Sequence, residues 1–159
     1  MSILIDENTT FIIQGITGRE AVNMTRECLD YGSKVVGGVT PGRGGRDVYG
    51  VPVYDTIAEI MAKERVDGSV ITVPAPFVRD AAFEAIENGI KLIVIVTERT
   101  PRYEVAQVLE LARMRGTRVI GPNCLGIISP GKAKMGGIGG PAANTRQAYN
   151  PGRIGVMSR

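Results

Sequence analysis

Two glycine-rich segments near the N-terminus carry the residue types best suited to binding an anion. Residues 14–20 have the sequence Gln-Gly-Ile-Thr-Gly-Arg-Glu and directly follow a short apolar run. Glycines let backbone N–H groups approach a ligand closely, and the N-terminus of a following helix adds partial positive charge. The hydroxyl of Thr17 and the guanidinium of Arg19 are further hydrogen-bond donors. This segment therefore predicts a phosphate-binding turn.

The second segment narrows the class of phosphate ligand. Residues 39–46 have the sequence Val-Thr-Pro-Gly-Arg-Gly-Gly-Arg, and its two arginines suit a phosphate on or near a ribose. The first segment departs from the dinucleotide pattern G-x-G-x-x-G, because Thr17 and Glu20 stand where that pattern needs glycine. We therefore expect a nucleotide with an extra phosphate, either NADP or coenzyme A (CoA). Each segment alone also fits an ordinary turn or surface loop, but their positions after adjacent strands favour a ligand site.

The ends of three later apolar runs supply further candidates, which are Val73, Pro74, Phe77, Val96, Thr97, Glu98, Asn123 and Cys124. The first three form a rigid apolar lip that suits a base or an aliphatic chain. The next three close the fourth run with a hydroxyl and a carboxylate, and the last two add an amide and a thiol. Because the chain contains no histidine to activate it, Cys124 is not predicted to act as a nucleophile. Neither a catalytic residue nor a metal site is predicted.

Composition excludes several classes of protein. A chain of 159 residues suffices for one compact domain with a hydrophobic core. The lack of histidine removes Ser-His and Cys-His nucleophile pairs and most zinc sites with nitrogen ligands. A net charge of only +3 and the lack of tryptophan argue against nucleic acid as a partner. With no apolar span and no signal peptide predicted, and only two cysteines, we expect no membrane partner and a cytoplasmic location.

The elements that must position these residues alternate along the chain. Between the helical patterns lie five short apolar runs, at residues 11–13, 34–36, 70–73, 92–96 and 118–120. None of the five alternates apolar and polar residues, which is typical of strands that are covered on both faces. Because right-handed crossovers connect parallel strands, the pattern predicts an α/β fold. Its architecture is a Rossmann-like open, mostly parallel sheet with helices on both faces.

Helix boundaries are predicted from local signals. Gly32, Gly89 and Gly116 each follow a helical pattern where a left-handed residue ends a helix. Thr56 and Glu59 fit a capping box. Thr100 followed by Pro101 fits an N-cap with proline at the first helical position.

The last part of the chain has a different composition. Residues 130–152 are rich in Gly, Pro, Ala and Asn and show neither a strand nor a helix period, so they are predicted to be extended or loop. Residues 153–157 then resemble one more strand. We therefore predict a CoA- or NADP-binding domain over residues 1–129. Residues 130–159 would be a linker and the first strand of a following domain that the chain lacks.

Six motifs in constant order strongly resemble the α subunits of succinate–CoA ligase (succinyl-CoA synthetase), and they occupy residues 1–6, 14–18, 37–42, 73–77, 97–98 and 121–124. The resemblance implies that the chain is the N-terminal CoA-binding domain of such a subunit. In that family, a second domain carries a phosphorylated histidine, and a β subunit of ATP-grasp type binds the nucleotide. The complete enzyme converts NTP, succinate and CoA into NDP, phosphate and succinyl-CoA. This chain alone is then expected to bind CoA as a substrate and to catalyse nothing.

The resemblance also implies roles for individual residues. By position, the residues that would contact CoA are Thr17, Gly18, Arg19, Glu20, Arg43, Val96, Thr97 and Glu98. The residues that would line the same groove are Pro41, Val73, Pro74, Phe77, Asn123 and Cys124. Arg43 stands where the family usually has lysine, and the stretch at residues 135–144 is longer than the usual linker, so the acid substrate stays open. Two other functions also stay open: a stand-alone CoA-binding regulatory module and an NADP-binding oxidoreductase domain.

Overall fold

A computed structural model describes residues 2–153 of the chain. The strands are β1 (Thr10–Gln14), β2 (Lys34–Val39), β3 (Asp47–Val48), β4 (Val51–Tyr54), β5 (Gly68–Ile71), β6 (Leu92–Ile95), β7 (Arg118–Ile120), β8 (Gly126–Ser129) and β9 (Ala133–Gly136). The α-helices are α1 (Arg19–Tyr31), α2 (Ile57–Met61), α3 (Val78–Glu87), α4 (Arg102–Arg115) and α5 (Ala142–Ala148). The longest has 14 residues, and among residues 2–153 none has the length and apolarity that a membrane span requires.

Seven strands form one sheet in the order β3-β4-β2-β1-β5-β6-β7, and every neighbouring pair except β3–β4 is parallel. Strands β5 and β6 are buried along their whole length, as continuous apolar runs predict for strands covered on both faces. One core cluster lies on the side of the sheet covered by α1, and a second lies on the side covered by α2, α3 and α4. The predicted Rossmann-like α/β fold is confirmed.

A short hairpin that was not predicted extends one edge of the sheet. Strand β3 pairs antiparallel with β4, and β4 pairs parallel with β2 through Gly38–Val53 and Val39–Tyr54. Proline at position 52 weakens a strand interpretation from sequence, because proline cannot donate a ladder hydrogen bond. Here Pro52 lies exposed in a strand only four residues long.

Most of the predicted helix boundaries are confirmed. Gly32 and Gly116 end α1 and α4 in the left-handed conformation, and Gly89 follows α3 with φ of 83°. The hydroxyl of Thr56 accepts a hydrogen bond from the backbone N–H of Glu59, as the capping box requires. The prediction at Thr100 is wrong by one residue: Pro101 is the N-cap and α4 begins at Arg102.

The prediction that residues 130–152 are extended or loop is wrong at residues 142–148, which form helix α5. Strands β8 and β9 form an antiparallel hairpin, and both β9 and α5 pack against α1. Lys134 of β9 is fully buried, and its ammonium group contacts the Glu27 carboxylate at 3.4 Å and donates to the Gly140 carbonyl oxygen. The described part of this stretch therefore covers α1. Residues 154–157 of the predicted last strand lie outside the described residues, and the proposed domain division at residue 129 stays a prediction.

Candidate functional site

A groove opens at the carboxyl ends of β1, β2 and β5, and its volume is about 780 Å³. Specific small-molecule sites commonly have volumes of roughly 300–1,000 Å³. Because parallel strands end at the same edge, this is where an open α/β sheet binds ligands. The lining residues are Gln14, Gly15, Thr17, Gly18, Arg19, Glu20, Ala21, Val39, Thr40, Pro41, Arg43, Thr72, Val73, Pro74, Phe77, Asp80, Ala81 and Glu84.

The turn between β1 and α1 forms one wall of the groove. Gly15 has φ of 84°, a left-handed conformation that glycine adopts without strain, and its carbonyl oxygen accepts from the Gly18 N–H at 2.9 Å. Gly18 is the N-cap of α1, and within residues 2–153 no side chain caps this helix end. The first N–H groups of an α-helix have no intrahelical acceptor. Those of α1 are therefore available to an anion in the groove.

Close packing fixes the position of this turn against the sheet. Ile16 is fully buried, and its side chain lies over Gly38 of β2, where an added Cβ would overlap it. The hydroxyl of Thr17 donates to the hydroxyl of Thr40 at 3.2 Å, which joins the turn to the loop after β2. Arg43 belongs to that loop and also lines the groove. The N-terminus of α1 and an arginine residue thus line the same space.

The opposite wall combines apolar and acidic groups. Pro74 leads into a short 3-10 helix, Ala75–Phe77, and the side chain of Phe77 is 60% exposed at the mouth of the groove. Along α3, Asp80 and Glu84 line the groove, and the Glu84 carboxylate accepts from the Ile57 N–H at 2.7 Å. The carboxylates on this wall repel phosphate, and the apolar lip suits less charged parts of a ligand. Both arginines of the lining, Arg19 and Arg43, belong to the other wall.

Gln14 forms the floor of the groove and ties its walls together. Its side chain is buried, its amide nitrogen donates to the Ala81 carbonyl at 2.9 Å, and its amide oxygen accepts from the Ser69 hydroxyl at 2.8 Å. Its backbone carbonyl accepts from the Thr72 hydroxyl at 2.8 Å. The side chain of Gln14 thus links β1 to β5 and α3, and it fixes the wall formed by α3 relative to the turn between β1 and α1.

Nine of the predicted site residues line this groove, namely Thr17, Gly18, Arg19, Glu20, Pro41, Arg43, Val73, Pro74 and Phe77. The other five, Val96, Thr97, Glu98, Asn123 and Cys124, follow β6 and β7 and lie outside the lining that the described chain forms. Thr97 bonds directly to the lining, because its hydroxyl donates to the Val73 carbonyl at 2.6 Å, and the backbone N–H of Asn123 donates to the Thr97 carbonyl at 3.0 Å. Ligand contact by all fourteen stays a prediction.

Several lining residues were not predicted as site residues. Gln14 and Gly15 belong to the glycine-rich segment 14–20, so the sequence motif already indicated that they lie at the site. Thr40 and Thr72 end or follow strands whose neighbours were predicted, and a rule that includes every polar residue at a strand end would have found them. Asp80 and Glu84 lie on α3 at i, i+4 spacing, which is also typical of an ordinary solvent-exposed helix face.

The sequence matches a known family model. The model for the CoA binding domain matches residues 6–99, which include the turn, the loop after β2 and both walls of the groove. The chain belongs to the CoA-binding domain family. The matched residues also include Val96, Thr97 and Glu98, the candidate site residues that follow β6.

Relatives of this CoA-binding domain are similar over the whole chain. The succinate–CoA ligase (ADP-forming) subunit alpha 1 of Archaeoglobus fulgidus is 45% identical over 159 residues, which are 100% of this chain and 53% of the relative. The malate–CoA ligase subunit alpha of Methylorubrum extorquens is 43% identical over 163 residues, with 100% and 53% covered. The resemblance to succinate–CoA ligase α subunits is thereby confirmed. The chain spans about half the length of these relatives.

The fold of the CoA-binding domain also occurs in larger enzymes. ATP citrate lyase from Methanothrix soehngenii, solved in complex with citrate and coenzyme A, superposes with a TM-score of 0.78 at 23% identity. The superposition covers 89% of this chain and 25% of that chain. At this level of identity the match shows the shared fold.

Proposed function

We propose that this chain binds CoA in the groove as the CoA-binding part of an acid–thiol ligase, with succinate–CoA ligase as the first candidate. The observation that carries the proposal is that the uncapped N-terminus of α1 and Arg43 line the same groove, in a chain of the CoA-binding family. CoA carries a diphosphate and a 3′-phosphate on the ribose, so it needs two anion-binding groups that are separated in space. The groove offers two.

The assignment of ligand parts follows from the chemistry of the walls. The diphosphate of CoA would lie against the N–H groups that follow Gly18, where the helix N-terminus favours negative charge. The 3′-phosphate would pair with Arg43, whose guanidinium can donate two parallel hydrogen bonds. The apolar lip of Pro74 and Phe77 would contact the base or the pantetheine arm.

The pantetheine arm would then run along the carboxyl ends of β6 and β7. Val96, Thr97, Glu98, Asn123 and Cys124 follow those strands and would hold the arm and its thiol. Fixing the thiol in this way removes translational and rotational freedom before it attacks an acyl phosphate. The acyl phosphate itself would form elsewhere in a complete enzyme, with a phosphorylated histidine of a second domain and a β subunit of ATP-grasp type.

The acid substrate is left open between succinate and related acids, since succinate– and malate–CoA ligase subunits are both relatives at similar identity. A reading frame that continues past Arg159 into a second domain would favour the ligase over a stand-alone CoA-binding module. Purification together with an ATP-grasp subunit encoded nearby would test the proposed partner.

Calorimetric titration of the chain with CoA, dephospho-CoA, NADP and ADP tests the binding proposal. We expect CoA to bind most tightly and the loss of its 3′-phosphate to weaken binding about tenfold, the effect of losing one charge-assisted contact. Tighter binding of NADP than of CoA would favour an oxidoreductase domain instead. Equal affinity for CoA and dephospho-CoA would remove the assignment of Arg43 to the 3′-phosphate.

A further inference from the structure

Asp55 lies outside the groove, yet it contacts the loop that carries Arg43. The backbone N–H groups of Arg43 and Gly44 both donate to the Asp55 carboxylate, at 3.1 Å and 3.0 Å. We propose that Asp55 is a positioning residue that holds the Arg43 loop in its ligand-binding shape and thereby determines selectivity for the 3′-phosphate of CoA. This inference rests on the proposed function.

The loop has a backbone that needs such a tether. Gly42 and Gly45, on either side of the contact, have φ values of 77° and 83°, and a Cβ at either position would meet open space. Their conformation is therefore imposed by hydrogen bonds rather than by packing. Because glycine has more backbone freedom than other residues, this loop would gain more conformational entropy on release than a loop without glycines. Without the carboxylate, the loop would sample many other shapes.

The contact between loop and carboxylate is close on both sides. A Cβ built on Gly44 would lie 2.9 Å from Asp55 Oδ2 and 3.1 Å from Asp55 Cγ, so only glycine lets the carboxylate come this near. The Arg43 N–H is shared with the Thr40 carbonyl at 3.0 Å, which closes the loop on itself. The tether therefore consists of one glycine, one carboxylate and a short turn.

Asp55 can act as a fixed point because β4 is anchored to the sheet. The Thr40 N–H donates to the Tyr54 carbonyl at 3.0 Å, immediately before Asp55. Val53 is buried, donates to the Arg46 carbonyl at 2.9 Å and accepts from the Gly45 N–H at 3.0 Å. The edge hairpin thus brings a carboxylate to the middle of a loop whose other hydrogen bonds to β4 lie near the two ends of the loop.

Three variants separate the hydrogen bond from the charge. Asp55→Ala removes the acceptor, whereas Asp55→Asn keeps an acceptor oxygen and removes the charge. Gly44→Ala leaves Asp55 intact and pushes the loop away from it. The matched control is Asp47→Ala, because the Asp47 carboxylate accepts from the Gly50 N–H at 3.0 Å in the same hairpin but does not line the groove.

Two measurements are made on each variant. In the free protein, amide hydrogen exchange at Arg43 and Gly44 should speed up by about tenfold or more in Asp55→Ala, with the amides of β1 unchanged. The ratio of CoA to dephospho-CoA affinity should fall by about fivefold in Asp55→Ala and Gly44→Ala, since a mobile loop must be ordered on binding. Asp55→Asn and Asp47→Ala should keep both values within about twofold.

Other outcomes overturn the proposal. If the affinity ratio is unchanged in Asp55→Ala and Gly44→Ala, Asp55 has no positioning role. If both ligands weaken equally, the residue is structural only. If Asp55→Asn changes the exchange rate and the affinity ratio as much as Asp55→Ala does, the negative charge rather than the acceptor oxygen holds the loop. That result would contradict a hydrogen-bonded tether. If the unsubstituted protein does not bind CoA, the proposed function is rejected. Amide exchange does not depend on CoA, so an unchanged exchange rate at Arg43 and Gly44 in Asp55→Ala would reject the tether by itself.

Discussion

The groove loops and the β8–β9 hairpin are both rich in glycine, but glycine has opposite roles in the two regions. At Gly42 and Gly45, in the loop that carries Arg43, an added Cβ would meet nothing within 4 Å. At Gly126 and Gly136 a Cβ would lie 2.6 Å from the Met135 carbonyl oxygen and 2.8 Å from Gly126 Cα, respectively. In the loop that carries Arg43, the glycines border open space. In the hairpin, glycine lets two strands of the protein touch.

This difference between the two regions explains why composition alone did not indicate that β9 and α5 pack against α1. A glycine-rich segment lacks a regular spacing of apolar residues both where its glycines border open space and where they allow a close backbone contact. Periodicity therefore cannot distinguish the two cases. What separates the two cases is the neighbouring side chain: Thr17 and Arg43 are exposed to the groove, whereas Lys134 is fully buried beside Glu27. A lysine in an apparent linker is an ordinary surface residue on statistical grounds. Nothing in the local sequence marks its burial.

The largest effect should come from filling the backbone contact in the hairpin. Gly136→Ala forces a left-handed residue with φ of 110° and drives a Cβ into Gly126, so we expect unfolding free energy to fall by about 3–4 kcal/mol. Gly131→Ala is the matched control, because it has φ of 73° and open space in the same hairpin; it should cost about 1 kcal/mol. Urea unfolding measures both, and equal losses would contradict the contact.

A glycine substitution at the groove, Gly18→Val, should affect CoA affinity far more than the free energy of unfolding. Gly18→Val places a branched side chain beside the helix N-terminus and should reduce CoA affinity by about 100-fold or more, while unfolding free energy falls by only about 1–2 kcal/mol. Its Cβ would lie 3.2 Å from the Gly15 carbonyl oxygen, a tight but tolerable contact. Calorimetry and urea unfolding on one sample test this pair of expectations. Normal CoA binding by the folded variant would place the phosphate site elsewhere.

The packing of α1 against the hairpin should also make the stability of the protein depend on pH. Burial raises the pKa of the Cys28 thiol to about 11, and the thiol donates a hydrogen bond to the Gly136 carbonyl at 3.4 Å. Well below pH 9 the thiol is protonated in both the native and the unfolded state. Between pH 9 and 11 the unfolded thiol ionises while the native thiol keeps its proton, so stability falls as pH rises, by about 2–3 kcal/mol in total.

Urea unfolding at several pH values, compared between the protein and Cys28→Ala, isolates this contribution. The variant should lose less stability between pH 9 and 11 than the unchanged protein does. An identical slope in Cys28→Ala would mean that other groups produce the whole dependence.

The smallest effect is expected at the exposed charge of the groove. The Arg19 side chain is 91% exposed and lies 3.7 Å from the Glu20 carboxylate. Arg19→Ala should weaken CoA binding only about threefold, because the backbone donors of α1 remain and solvent screens the lost charge. The difference between the two proteins should shrink as salt concentration rises. A difference that persists at high salt would indicate a direct, desolvated contact of Arg19 with the ligand.

Most of the sheet could be predicted because its strands are continuous apolar runs between turn signals. Strand β4 could not, since Val-Pro-Val-Tyr is short and contains a proline. Helix α5 was missed for a different reason: its buried positions are Ala142 and Thr145, which do not make an apolar stripe. Both elements are stable through contacts with distant parts of the chain, α5 with α1 and β4 with β2.

The groove was predictable where its chemistry is local. Glycine, threonine and arginine in one turn indicate a phosphate site from their order alone. Gln14 and Asp55 act through partners far along the chain or across a sheet edge: Ala81 is 67 residues from Gln14, and Asp55 is 11 residues from Gly44. A polar residue at a strand end has many possible partners. Only the three-dimensional fold selects one.

The buried amide of Gln14 has a consequence for the order in which the protein assembles. Its partners Ser69 and Ala81 lie 55 and 67 residues later in the chain, so a ribosome must complete α3 before this floor can form. Contacts between residues that are distant in sequence require costly loop closure and tend to be made late. A nascent chain that ends before α3 would already contain the glycine turn, the Arg43 loop and Asp55, but not the floor that holds the two walls together. Ligand affinity should thus emerge in one step during synthesis, when α3 docks, rather than gradually as each motif appears.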